Sequence, residues 1–185
     1  MPWQRLNKGK HRRELLQEQM VTLLPRLRRF ARNLTGNADS ADDLVQMACE
    51  RALQRLHQYR DSTRLDSWLY RIVYTQWIDR TRRRQRRASH QEALREDLES
   101  RRNGLSSPGR LVSFMDVKKA LGQLAQEHRA AVLLVTVEGY TYSEAADVLG
   151  VPAGTVASRV ARARQTLAAH FHEEQPRLLS IRSGN

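Results

Sequence analysis

Apolar residues recur along this chain every three or four positions, the spacing of helices that each bury one face. Leu15, Leu16, Leu23 and Leu24 line a first helix; Leu27, Phe30, Ala31 and Leu34 extend the stripe past Pro25, which marks a kink or a new first turn. Gly36 ends that run, and Asp39 or Ser40 is expected to cap a second helix over about 41–56, with Leu44, Val45, Ala48, Cys49, Ala52 and Leu56 inward. A polar loop over 57–67 leads into a long helix over about 66–87. Its core side is Leu65, Leu69, Ile72, Val73 and Gln76, beside an aromatic stripe of Tyr70, Tyr74 and Trp77. Periodicity fades over 88–110, which ends in the linker signature Asn103-Gly104-Leu105-Ser106-Ser107-Pro108-Gly109. Two short helices follow, one capped by Asp116 and carrying Val117, Ala120, Leu121 and Leu124, the other over about 127–138 with Ala131, Val132, Leu134 and Val135. No stretch alternates with the period of a strand, so the expected fold is all-α.

The clearest pattern lies between Thr141 and Leu167. Thr141 and Glu144 have the spacing of a capping box, Gly150 can adopt the left-handed conformation that ends a helix, and Pro152 can begin the next one. In that second helix Val156, Val160, Ala163 and Leu167 share one arc, with Thr155, Ser158, Arg162 and Gln165 opposite and Arg159 flanking. Two short helices across a tight turn, the second with a basic outer face, suit the major groove of DNA; the same pattern also describes an ordinary helical hairpin with a solvated face.

Charge narrows the choice. The chain of 185 residues carries a formal net charge of +12, which implies an acidic polymer as partner. No apolar run approaches the roughly 18 residues that span a bilayer and no signal-peptide core is present, so a cytoplasmic protein without membrane insertion is expected. The single cysteine, Cys49, sits at a core position, and His170 with His172 lacks further ligands; neither a metal site nor a cofactor is expected.

Two surface features are locally unusual. Asp43, Gln46, Glu50 and Gln54 form an acidic and amide stripe in a basic chain, which fits a solvated face or a protein-docking surface. Arg80, Arg82, Arg83, Arg84, Arg86 and Arg87 follow directly on the aromatic stripe, which fits either core packing or, beside these arginines, a surface that stacks unpaired bases while the arginines neutralise phosphates.

Both halves resemble extracytoplasmic-function (ECF) RNA polymerase sigma factors of the sigma-70 family. The motifs are Ala41-Asp42-Asp43-Leu44-Val45-Gln46, then Trp68-Leu69-Tyr70-Arg71-Ile72 with Asp79 and Arg82, and finally Glu138 through Ala146 with Gly154 through Arg159 and Arg162-Ala163-Arg164. The resemblance implies two small helical domains joined by a flexible linker: a mobile lead over 1–10, a sigma-2-like bundle over 11–90, a linker over 91–114, a sigma-4-like helix-turn-helix over 115–172 and a tail over 173–185. It implies core RNA polymerase as partner, through the clamp of the largest subunit and the flap of the second largest, together with promoter DNA and an anti-sigma factor. Asp43, Gln46 and, more weakly, Glu50 would face the clamp. Tyr59, Arg60, Asp61, Ser62, Arg71 and Thr75, with Arg82, Arg83 and Arg84 on phosphates, would capture the −10 element. Thr155, Ser158, Arg159, Arg162 and Gln165 would read the −35 element. Met47, Thr75 and Ala157 depart from the common pattern, and Ala157 moves weight onto Arg159 and Arg162. The rival reading is a homodimeric helix-turn-helix regulator that is no polymerase subunit; a nucleic-acid-processing enzyme would need a carboxylate, metal or glycine-loop motif that the chain lacks.

Overall fold

In the computed structural model, residues 3–60, 62–92 and 114–180 are described, and every regular element among them is helical. The order is α1 (Trp3–Thr35), α2 (Ala38–Arg55), a 3-10 turn (Leu56–Gln58), α3 (Leu65–Glu92), α4 (Phe114–Gln123), α5 (Gln126–Thr136), α6 (Tyr142–Leu149) and α7 (Ala153–Ser180).

Three differences from the sequence expectations have local causes. Helix α1 begins at Trp3, within the stretch expected to be an unstructured lead, because the residues upstream of Leu15 are mostly good helix formers that propagate a helix once it is nucleated. It also continues through Pro25 as one helix, so no new first turn begins there. The carbonyl that proline deprives of a donor belongs to Val21, which is exposed and open to water. Helix α2 is capped by Asn37, not by Asp39 or Ser40: Asn37 has extended backbone and its side chain accepts the Ser40 amide at 2.9 Å. The expected linker lies almost wholly in residues 93–113, outside the described residues.

Helices α1, α2 and α3 pack together around Leu27, Phe30, Leu34, Leu44, Leu69 and Val73, all at most 1 % exposed. Of the side chains expected inward on α3, Gln76 instead donates to the Met47 carbonyl at 3.0 Å, and Ile78 is buried in addition. The second module, α4–α7, closes around Leu133, Leu134, Val148, Val156 and Val160. These cores are continuous. Phe30 meets Tyr70 edge-on at 5.0 Å and Tyr70 meets Tyr140 edge-on at 5.5 Å, so an aromatic chain crosses from α1 through α3 to the turn between α5 and α6.

Candidate nucleic-acid and polymerase interfaces

The helix-turn-helix forms as its local chemistry dictates. The Thr141 hydroxyl accepts the Glu144 amide at 3.2 Å while the Glu144 carboxylate accepts the Thr141 amide at 2.9 Å. Gly150, at φ +67°, ends α6 and bonds back to the Ala146 carbonyl at 2.8 Å. The Pro152 carbonyl then accepts from Thr155 as α7 begins. Val156, Val160 and Ala163 are buried, which rolls Ser158, Arg162 and Gln165 outward to solvent. Thr155 is half-buried, and Ser158 Oγ donates to its carbonyl at 3.0 Å. Arg159 does not project outward with Arg162. It is half-buried and turned towards Tyr74 of α3.

Between α2 and α3 lies an open groove of about 670 Å³ whose walls carry Arg51, Arg55, Arg71, Arg80, Arg83, Arg84 and Arg87 against the single acid Asp79. Trp68, Ile72 and Thr75 lie along the same groove, so apolar surface and positive charge face one space. That combination suits an unstacked nucleic-acid strand, whose bases need a surface to rest on and whose phosphates need neutralising. Thr75 is exposed, with its hydroxyl donating to the Arg71 carbonyl at 2.8 Å. Arg82, Arg83 and Arg84 are all exposed, but only Arg83 and Arg84 line the groove.

In the preceding loop, Arg60 and Ser62 are exposed, and Asp61 lies outside the described residues. Tyr59, expected to contact DNA, is buried: its hydroxyl donates to the Thr63 carbonyl at 2.7 Å and its ring lies 5.4 Å from that of Trp68. Its place is to shape the loop, because a phenol with its ring packed and its hydroxyl bonded to backbone has little left to offer a base.

On α2, Asp43, Gln46 and Glu50 are exposed together. Asp43 lies 3.4 Å from Arg80, and the Gln46 amide donates to Glu50 at 3.1 Å. Sequence reasoning read only this flank of α2 and missed Arg51 and Arg55 on the groove side. The signal was present as an i, i+4 arginine pair, but its meaning depended on α3 standing opposite.

The junction of the two modules holds a further set of groups. Glu138, between α5 and α6, has its side chain fully buried, where it accepts from Arg29 at 3.2 Å and from the Tyr70 hydroxyl. Arg64 pairs with Asp66 and with Glu144, each at 2.7 Å, and its guanidinium lies over the Tyr140 ring. Burial pushes the Asp66 carboxyl up, but bonds from Arg64 and the Ser67 amide outweigh it and leave the group below its usual range. Burial also pushes the Tyr140 phenol up to about 12, and burial with the Glu138 bond raises Tyr70.

For a raised phenol the folded chain keeps a proton that the unfolded chain has already lost, so stability falls as pH rises from the ordinary value of 10.0 towards 12. In an alkaline titration, tyrosinate absorbance should therefore lag the ordinary phenol curve and appear together with loss of near-UV circular dichroism. Ionisation of Tyr70 and Tyr140 near pH 10 with the fold intact would contradict this packing.

Two family models match the chain. The family model for sigma-70 region 2 matches residues 6–87, and that for sigma-70 region 4 matches residues 114–167. The chain is 36% identical over 156 residues to the ECF RNA polymerase sigma factor EcfG of Rhodopseudomonas palustris, with 83% of each covered. It is 37% identical over 142 residues to the ECF RNA polymerase sigma factor SigM of Mycobacterium tuberculosis, covering 77% of this chain and 69% of that one. Among solved structures, the sigma factor RpoE of Bartonella quintana, in complex with the anti-sigma factor NepR, matches with a TM-score of 0.70 at 31% identity, covering 84% of this chain and 96% of that one.

Proposed function

From the premise that this chain belongs to the ECF branch of the sigma-70 family and is a polymerase-associated sigma factor, we propose how its surfaces divide the work. The groove between α2 and α3 takes the opened strand of the −10 element. Arg60, Ser62, Arg71 and Thr75 lie towards the bases, and Arg83 and Arg84, joined by Arg51 and Arg55, hold phosphates. The outer face of α7 reads the −35 element through Ser158, Arg162 and Gln165. Asp43, Gln46 and Glu50 dock on the clamp of the largest polymerase subunit, and the second module meets the flap of the second largest. The chain carries out no catalytic step of its own. It works in the cytoplasm, where an anti-sigma factor controls it, as NepR binds the Bartonella protein. The homodimeric-regulator reading is not favoured, since region 2 occupies the whole of the half that such a regulator would use for dimerisation or ligand binding.

One observation carries the reading: an arginine-walled groove and an outward basic helix occur on two modules of one chain, the two grips that recognition of a bipartite promoter requires. The test is to reconstitute the chain with core polymerase and map transcription starts and strand opening across genomic DNA. Absence of promoter-dependent initiation would sink it.

Within that assay, Arg162→Ala should cost ~1–3 kcal/mol of discrimination at one −35 base pair, or roughly 5- to 150-fold, and leave non-specific binding less affected. A base-by-base −35 mutation series run on the variant holoenzyme checks this; an unchanged preference would remove Arg162 from the reading surface.

A further inference from the structure

We propose that Asp79, with Thr75 one turn before it, forms an acceptor wall in the groove between α2 and α3 that selects a base carrying an amino group and rejects thymine. The inference rests on the reading above that this groove takes an opened strand, and it adds which bases one position of that strand tolerates.

A carboxylate is out of place in a groove that suits phosphates. Seven arginines stand along it, and Asp79 is the single acid among its lining residues, where its charge repels the strand that the arginines attract. Holding an arginine in position does not explain it. Arg80 pairs with Asp43 at 3.4 Å and Arg71 donates to the Asp147 carbonyl at 3.5 Å, while Asp79 makes no hydrogen bond or ion pair among the described residues. The exposed Asp79 oxygens are open to whatever enters the groove.

Its neighbours on α3 share this polarity. Thr75 lies four residues earlier on the same face, and its hydroxyl gives its one hydrogen to the Arg71 carbonyl at 2.8 Å, so that only lone pairs remain to meet a ligand. Gln76 crosses to α2, where its amide nitrogen donates to the Met47 carbonyl at 3.0 Å and its oxygen stays unengaged among the described residues. Trp68 and Ile72 line the same groove and offer an apolar surface on which a base can rest. Thr75 and Asp79 follow Ile72 by one and two turns and stand about 6 Å apart along the helix axis, the scale of a base edge. Adenine, cytosine and guanine each carry an amino group that can donate to such a wall. Thymine has none, and its one ring N–H lies between two carbonyl oxygens that would face the side-chain acceptors.

Asp79→Asn tests the wall, because it keeps the side chain's size, removes its charge and adds an N–H that a thymine carbonyl can accept. Asp79 is exposed, so the change leaves the core untouched. Holoenzyme reconstituted from the full chain and core polymerase is titrated with promoter templates pre-opened over the −10 element, in which each non-template position carries each of the four bases in turn. The parent should disfavour thymine at one position by roughly 5- to 150-fold, the range of one good contact between a side chain and a base. In Asp79→Asn that penalty should fall below about twofold, chiefly because the thymine template binds more tightly than it does to the parent. Thr75→Val should lower the penalty in part. Arg83→Ala, a phosphate contact, should weaken all four templates alike and leave the penalty in place. A parent indifferent to thymine at every position would overturn the wall, as would a thymine penalty unchanged in Asp79→Asn. Failure of the underlying reading looks different: the parent holoenzyme would then capture no pre-opened template, or would capture them all without loss in Arg83→Ala, which removes the strand from the groove and the wall with it.

Discussion

Asp43→Arg should bind core polymerase at least 30-fold more weakly than the parent while retaining its helical content and thermal midpoint. The structural cost is small, because Asp43 is 64% exposed in its side chain and its contact with Arg80 at 3.4 Å is a surface pair of the kind worth little. The expected interface cost is large. Reversing a charge that meets opposite charge in a buried contact removes an attraction and installs a repulsion, an effect on the order of 2–5 kcal/mol. Titration of labelled protein against core polymerase at two salt concentrations measures it, and unaltered affinity at both would exclude this face of α2 from docking.

The second large effect is expected at the other face of the same helix pair. Replacing Arg83 and Arg84 together by alanine should lower open-complex formation by on the order of tenfold or more near physiological salt, and should flatten the salt dependence by about 1.4 in log–log slope if each holds one phosphate of a single strand. Arg82→Ala is the internal comparison. Arg82 is also exposed and carries the same charge but does not line the groove, so its loss should matter less. Equal effects from all three arginines would mean that net charge, and not the groove, attracts the strand. Including Arg51→Ala and Arg55→Ala extends the test to α2, where strand-binding arginines are otherwise unexpected beside an acidic stripe.

The residues that sequence reasoning placed well are those whose position follows from local periodicity. Burial of Val156, Val160 and Ala163 leaves Ser158, Arg162 and Gln165 no other direction than outward. The same logic exposes Asp43, Gln46 and Glu50 opposite Leu44, Val45 and Ala48. Tyr59 and Arg159 went otherwise for a common reason. Tyr59 sits in a polar loop and Arg159 at the edge of an apolar face, so local periodicity fixes the burial of neither, and an aromatic partner on α3 decides. Trp68 covers Tyr59 and Tyr74 draws in Arg159. Asn37 shows the same limit at short range, since a cap is chosen by the backbone angle at which the chain enters the helix, which three neighbouring polar candidates do not reveal.

By itself the sequence determined the all-helical class, the capping box and glycine stop of the helix-turn-helix, the buried stripes, and the family with its two modules. These depend on interactions within a few residues or on motifs of several residues in a set order. The tertiary structure decided that α2 and α3 enclose an arginine-lined groove, and that the modules share one core closed over Glu138. A glutamate after a helix is ordinarily a surface residue. Only the arrival of Arg26, Arg29 and Tyr70, from helices 68 or more positions away, makes its burial affordable. Such compensation is a property of the folded assembly, because a charge is removed from water only where opposite charge and hydrogen-bond donors are already held in place.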